Sequence, residues 1–247
     1  MNFRRQVFRG FVTALFVCVA ASTALPLNLP ITSSWAQRKI TSGKFPIHSA
    51  CMMPPQANLT RIGMKGAEGM SKESESWATA LGDMVESHLK SDGIAISSAV
   101  DPLSSGASGD EIRNVISQIQ QKFSSVSPLI RKKPGGIGKS AYTLGDQVGM
   151  LPCSENSEIL VFVQGVGQVV TQGRSTMTLL VGGPGEDAVL LVTIADAKTG
   201  EIVGFIQVYP GDASLLDADG AFGQKLYQQF AEMNIGSARK RAAVRGQ

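Results

Sequence analysis

Ile159-Leu160-Val161-Phe162-Val163, followed by Gln164-Gly165-Val166-Gly167, is the stretch on which the fold turns. An unbroken apolar run of this length, preceded by the turn formers Asn156 and Ser157, reads as a strand covered on both faces. Layers must therefore flank it, and the rest of the chain supplies them. Downstream, Ala188–Ala195 and Glu201–Tyr209 flank Asp196-Ala197-Lys198-Thr199-Gly200, a short glycine-containing connection that predicts a hairpin. Met177–Val181 is a weaker strand, and Phe222, Leu226, Tyr227, Phe230 and Met233 mark an amphipathic closing helix.

Upstream, the pattern changes to helices. Asp110 opens one that carries Ile112, Val115, Ile116, Ile119 and Phe123 along one stripe, with acids at its positive end. Residues 124–150 are less regular, with a short helical turn over Tyr142–Met150. Ser74 or Ser76 caps another helix, whose apolar face holds Trp77, Leu81, Met84, Val85, His88 and Leu89. Ile94–Val100 and Ala57–Ile62 read as strands, the latter introduced by Pro54-Pro55. Gly63–Ser71 reads as a glycine-rich loop. The order β-α-β-α-β-(β)-β-β-α predicts an α/β (α+β) sandwich with about three helices and a mixed sheet, largely antiparallel in its C-terminal half.

The amino terminus has the three parts of a secretory signal. Arg4, Arg5 and Arg9 precede an apolar run from Phe11 to Leu27, ended by Pro26 and Pro30. Ser34-Trp35-Ala36 fits the small-x-small rule and places the expected cut before Gln37; Ser22-Thr23-Ala24 is a second site. The run is shorter than the roughly 20 residues of a membrane span, which argues against a retained anchor. Val17 before Cys18 argues against a lipid anchor, and Cys51 lies far beyond the run. The expected organisation is a signal over 1–36, a linker over 37–50, one α/β domain over 51–235 and a basic tail over 236–247, with a periplasmic or secreted product.

Of 23 basic and 20 acidic residues, only Arg4, Arg5 and Arg9 lie before Gln37, so the exported chain balances to zero. Its charge gives no reason to expect a nucleic-acid partner. Arg239, Lys240, Arg241 and Arg245 crowd the end, and membrane contact is expected to be peripheral at most, through this tail. Two cysteines remain after export, Cys51 and Cys153. A pair in an oxidising compartment reads first as a disulfide, the alternative being two buried thiols.

No motif completes a catalytic or cofactor set. Pro134-Gly135-Gly136-Ile137-Gly138-Lys139-Ser140 has the look of a phosphate loop, yet Lys133 stands where the first glycine belongs, and neither strand nor helix frames it. It reads instead as a mobile basic surface loop, and no ATP is expected. Gly165-Val166-Gly167 lacks the third glycine of a dinucleotide fingerprint, so a bulge or close backbone contact accounts for it better. Asp217-Ala218-Asp219-Gly220 lacks two acids of a calcium loop. His48 and His88 show no metal spacing, and His88 belongs to an apolar helix face. No catalytic, metal or cofactor-binding residue and no cofactor is expected.

Leu160-Val161-Phe162-Val163-Gln164-Gly165, with Val192-Thr193-Ile194-Ala195-Asp196-Ala197-Lys198-Thr199-Gly200-Glu201-Ile202-Val203 after it, resembles paired strands of secreted bacterial envelope proteins, in which a strand enters an Asp-Ala-x-Thr-Gly-Glu hairpin. The curli-secretion lipoprotein family and the amino-terminal domain of the TolB family are the groups it is similar to. The chain departs from the former in lacking its lipid-bearing cysteine and any long segment for a transmembrane barrel. The resemblance implies a non-enzymatic periplasmic α/β module; it does not imply a pore. The expected function is therefore a protein-binding or assembly module of the envelope that engages another envelope protein through a sheet edge or the closing helix. The rivals are a cell-wall hydrolase using carboxylates such as Glu158 and Asp196, and a small-ligand carrier.

Overall fold

The computed structural model describes residues 32–63, 66–99, 107–170, 187–209 and 223–235, leaving aside the side chains of residues 107, 108, 170 and 187. Their elements are β1 (Ser33–Ala36), α1 (Arg38–Thr41), β2 (Ser49–Met52), β3 (Gln56–Gly63), β4 (Gly66–Gly69), α2 (Ser71–Ser91), β5 (Ala95–Ser98), α3 (Ala107–Lys132), β6 (Ile159–Val170), β7 (Asp187–Asp196), β8 (Ile202–Val208) and α4 (Gly223–Glu232). Three 3₁₀ helices, Pro134–Lys139, Asp146–Met150 and Pro152–Glu155, link α3 to β6. Residues 1–31 of the signal expected over 1–36, the strand Met177–Val181, the turn Asp217–Gly220 and the tail 236–247 lie outside the described residues.

β6 is the spine of a mixed sheet of order β1-β8-β7-β6-β2-β5, with β3 also on β6 and β4 on β3. On one side β7 pairs antiparallel from Gln168↔Asp187 to Ile159↔Asp196. On the other, β2 and β3 pair parallel with successive halves of β6. Ala50–Met52 face Ile159–Val161 and Gln56–Ile62 face Gln164–Val170, so Met53-Pro54-Pro55 stand opposite Phe162-Val163. That extra residue is a bulge, and proline, lacking an N–H for the ladder, is suited to it.

Helices cover both faces, as the apolar run of β6 requires. Val161 and Val163 join Trp77, Leu81, Val85, Leu226 and Phe230 in a core beneath α2 and α4. Leu160 and Phe162 join Ile119, Phe123, Ile130 and Ile137 in a second core beneath α3 and the 3₁₀ segment. Phe123 stacks on Phe162 with ring centroids 4.4 Å apart. Gly165 is the close contact its sequence suggested: a Cβ there would lie 2.5 Å from the Trp77 ring.

Several boundaries differ from expectation. Residues 37–50, expected as a linker, contain α1 and the start of β2, because Ile40 and Ile47 are buried in the α2-side core and Gln37 is buried beside Glu201. The glycine-rich Gly66–Gly69 pairs antiparallel with β3 instead of forming a loop. α3 continues through Pro128 to Lys132: the proline is exposed, while Val126, Ser127 and Ile130 extend the buried stripe. The supposed mobile loop at Pro134–Ser140 is a 3₁₀ helix with Gly136 and Ile137 buried and Gly136 packed against Tyr142.

Cys51 and Cys153 form a disulfide across 102 residues of sequence, with Cα atoms 5.8 Å apart. It joins β2 to the 3₁₀ helix Pro152–Glu155 inside the α3-side core. Closing so long a loop restricts the unfolded chain and stabilises by about 4–5 kcal/mol on the chain-entropy model. Urea melts should show the Cys51→Ala/Cys153→Ala double variant losing that amount, and reductant should lower the midpoint of the parent only; equal melts with and without reductant would contradict the bridge. Gly165→Ala, which drives a methyl into Trp77, should destabilise by about 1–3 kcal/mol in the same assay.

Candidate functional site

The break at Pro54-Pro55 leaves a groove. The Pro55 ring rests on α2 at Gly82, where a Cβ would come within 2.9 Å of the proline Cγ. To one side lies a depression of about 690 Å³ bounded by Pro55–Asn58, Gly69–Ser71, Ser74, Glu75, Ala78 and Gln164–Val166. To the other lies one of about 540 Å³ between Met52–Pro55, Ile96–Ser98 and the α2 residues Thr79, Gly82, Asp83 and Glu86. Both follow the same helix and share Pro55. The walls are mostly apolar and bear Met52, Met53 and Met70, side chains that adapt to varied shapes; the rim from α2 carries Glu75, Asp83 and Glu86, the last ion-paired with Lys90.

The groove exposes backbone. β4 covers β3 only over Thr60–Gly63, and β5 covers β2 only over Ser49–Met52. Among the described residues, no strand pairs with the outer side of Gln56–Asn58. The Leu59 carbonyl accepts the Met70 N–H at 2.9 Å and the Leu59 N–H donates to Ser74 Oγ at 2.9 Å, so Leu59 faces away from β6. Strand groups alternate sides every residue, which points the N–H and C=O of Ala57 the same way, into the groove. An extended peptide laid there would meet one donor and one acceptor in register.

The carboxylates proposed for hydrolysis are employed elsewhere. Glu158 Oε2 accepts the backbone N–H groups of His48 and Ser49. Asp196 Oδ1 accepts the N–H groups of Lys198 (3.0 Å) and Thr199 (3.1 Å), closing the β7–β8 turn. His88 is half-buried beside Tyr227, ring centroids 6.3 Å apart. Among the described residues, no group of three or more His, Cys, Asp or Glu is placed to hold a metal, and no helix is long and apolar enough to cross a membrane.

A polar cluster that sequence reading missed surrounds Glu201. Gln37 Nε2 donates to Glu201 Oε1 at 2.7 Å, and Lys39 Nζ lies 3.2 Å from Oε2 and 3.9 Å from Asp196. Burial pushes the Glu201 carboxyl up, but hydrogen bonds from Ser140, Gln37 and Lys39 and the Lys39 charge outweigh it, holding the group below its ordinary 4.5. These contacts tie the start of the described chain to the hairpin and are structural in kind.

No protein-family model matches the sequence, and no curated protein matches it. Among solved structures, the chain is similar to a PelC dodecamer from Paraburkholderia phytofirmans, at 9% identity over 83% of this chain and 98% of that one, with a TM-score of 0.35. A second crystal form gives 8% identity and 0.34 over 83% and 97%. The LpoB C-terminal domain from Salmonella enterica gives 9% identity over 70% and 94%, with a TM-score of 0.21. The resemblance drawn from residues 160–203 thus stands on those residues.

A carboxyl whose pKa falls on folding adds stability that is complete above its unfolded value and is lost as pH drops through the folded one. The unfolding free energies of the parent and Glu201→Gln should therefore differ by a constant above about pH 5.5 and converge below 4.5. Chemical melts across that range check it, and a difference that persists undiminished to about pH 3 would contradict it.

Proposed function

We propose that this chain is an exported, non-enzymatic module of the bacterial envelope that binds another envelope protein by taking an extended segment into the groove at Pro55. The observation that carries the reading is the outward-facing N–H and C=O of Ala57 on a stretch of β3 that no described strand pairs. A segment added there gains main-chain hydrogen bonds, while the depressions on either side of Pro55 receive its side chains. The acidic rim at Glu75 and Asp83 favours a segment carrying Lys or Arg.

The address is supported by the basic and apolar amino terminus and by the disulfide, which persists in oxidising compartments. The likeness of the β6 strand and the Asp196–Glu201 hairpin to curli-secretion and TolB-type proteins points the same way. The engagement of Glu158 and Asp196 in backbone hydrogen bonds weighs against a hydrolase built on that pair.

Ala57→Pro deletes the outward N–H while sparing the bonds to β6, and proline is tolerated on a sheet edge. With a photo-crosslinking residue at the exposed Asn58, envelope extract should yield a defined protein adduct, and adding Ala57→Pro should reduce its yield about ten-fold or more without moving the melting curve. Equal yields with and without the proline would contradict edge docking.

A further inference from the structure

Ser34-Trp35-Ala36, which matches a leader-cleavage motif, is part of the sheet. β1 pairs antiparallel with β8 from Ser33↔Gln207 to Ala36↔Gly204. Its residues serve both layers: Trp35 packs in the α3-side core, 6.0 Å from the Phe205 ring, and Ala36 packs against the α2-side core. Thr32 Oγ1 accepts the Tyr209 N–H at 3.1 Å just before the strand. Just after it, the Gln37 N–H donates to the Val203 carbonyl at 2.9 Å and the Gln37 side chain donates to Glu201.

We propose that the exported chain is cut between Ala24 and Leu25, and that Ser33–Ala36 is kept as the edge strand of the mature protein. The inference rests on the reading that the amino terminus is a removable leader. Cutting after Ala36 would leave β8 paired with β7 alone, its outer edge bare, and remove the Trp35 ring from beside Phe205. It would also put a charged α-amine on Gln37, a residue only 6% exposed, and burying such a charge is unfavourable. The small residues Ser33 and Ser34 suit a short edge strand, and Ser34 Oγ donates to Glu232 Oε2 at 3.4 Å.

The leader's proportions agree. Removable leaders run to about 15–30 residues, with an apolar stretch of about 7–15 and small residues before the cut. Phe11–Ala21 followed by Ser22-Thr23-Ala24 keeps within both limits, whereas a cut after Ala36 exceeds the first and leaves Pro26 and Pro30 inside the leader.

Intact-mass and amino-terminal sequencing of the full-length gene product, expressed in a bacterial host and recovered from the periplasmic fraction, test this. Leu25 as first residue is the expected result, and Ala24→Leu should slow processing at least ten-fold. An amino terminus at Gln37, or at its cyclised form lighter by ammonia, would overturn the proposal while leaving export intact, as would any other cut or unslowed processing of Ala24→Leu. Uncut chain beginning at Met1 would overturn the leader reading itself.

Discussion

The structure depends on β6 being hydrogen-bonded along both edges while both of its faces are buried. The pleat sends Val161, Val163 and Gly165 toward α2 and Leu160 and Phe162 toward α3. A shift of one residue in its pairing would exchange those sets, placing Phe162 against Trp77 and depriving Phe123 of its stacked ring. The packing of both layers therefore fixes the register with β7. It fixes β2 and β3 as well, and since these halves differ in register, the connection between them must absorb one residue.

That absorbed residue creates the groove. Met53 still donates its N–H to the Val161 carbonyl, Pro54-Pro55 then leave the ladder, and Pro55 finds room because α2 carries Gly82 beneath it. Cys51 lies just upstream, bonded to Cys153 in the opposite layer, so the strand entering the bulge is held by a covalent link as well as by hydrogen bonds. β5 stops before the bulge and β4 begins after it, leaving the outer side of Gln56–Asn58 between two short flanking strands. An open backbone edge held on a rigid, cross-linked sheet is preorganised for an extended ligand, since little further ordering is required of the protein on binding.

Much of this was legible in the sequence where local pattern and burial agree. The apolar run of β6, the Asp196–Gly200 turn, the stripes of α2 and α3 and the Leu226–Met233 face each state their environment in a few adjacent residues. The cysteine pair followed from compartment and number. What was not legible depends on distant partners. Ser33–Ala36 has too few residues to announce a strand and gains its role only from β8. Gly66–Gly69 carries loop-like residues and is a strand because β3 turns back on it. Residues 124–132 looked irregular, yet they continue α3, with Pro128 on the exposed side of a helix whose next turn is buried. The groove follows from the register difference between β2 and β3, which no single segment of sequence contains; Pro54-Pro55 and Gly82 are its traces, and they become meaningful only when brought together.

The account turns on the outward edge at Ala57. Amide hydrogen exchange resolved by residue in the free protein tests it most directly. Gln56 and Asn58, whose backbone groups face β6, should exchange slowly, and Ala57 between them should exchange faster by orders of magnitude. Protection of Ala57 equal to that of its neighbours would mean the edge is already covered, and the docking surface would not exist.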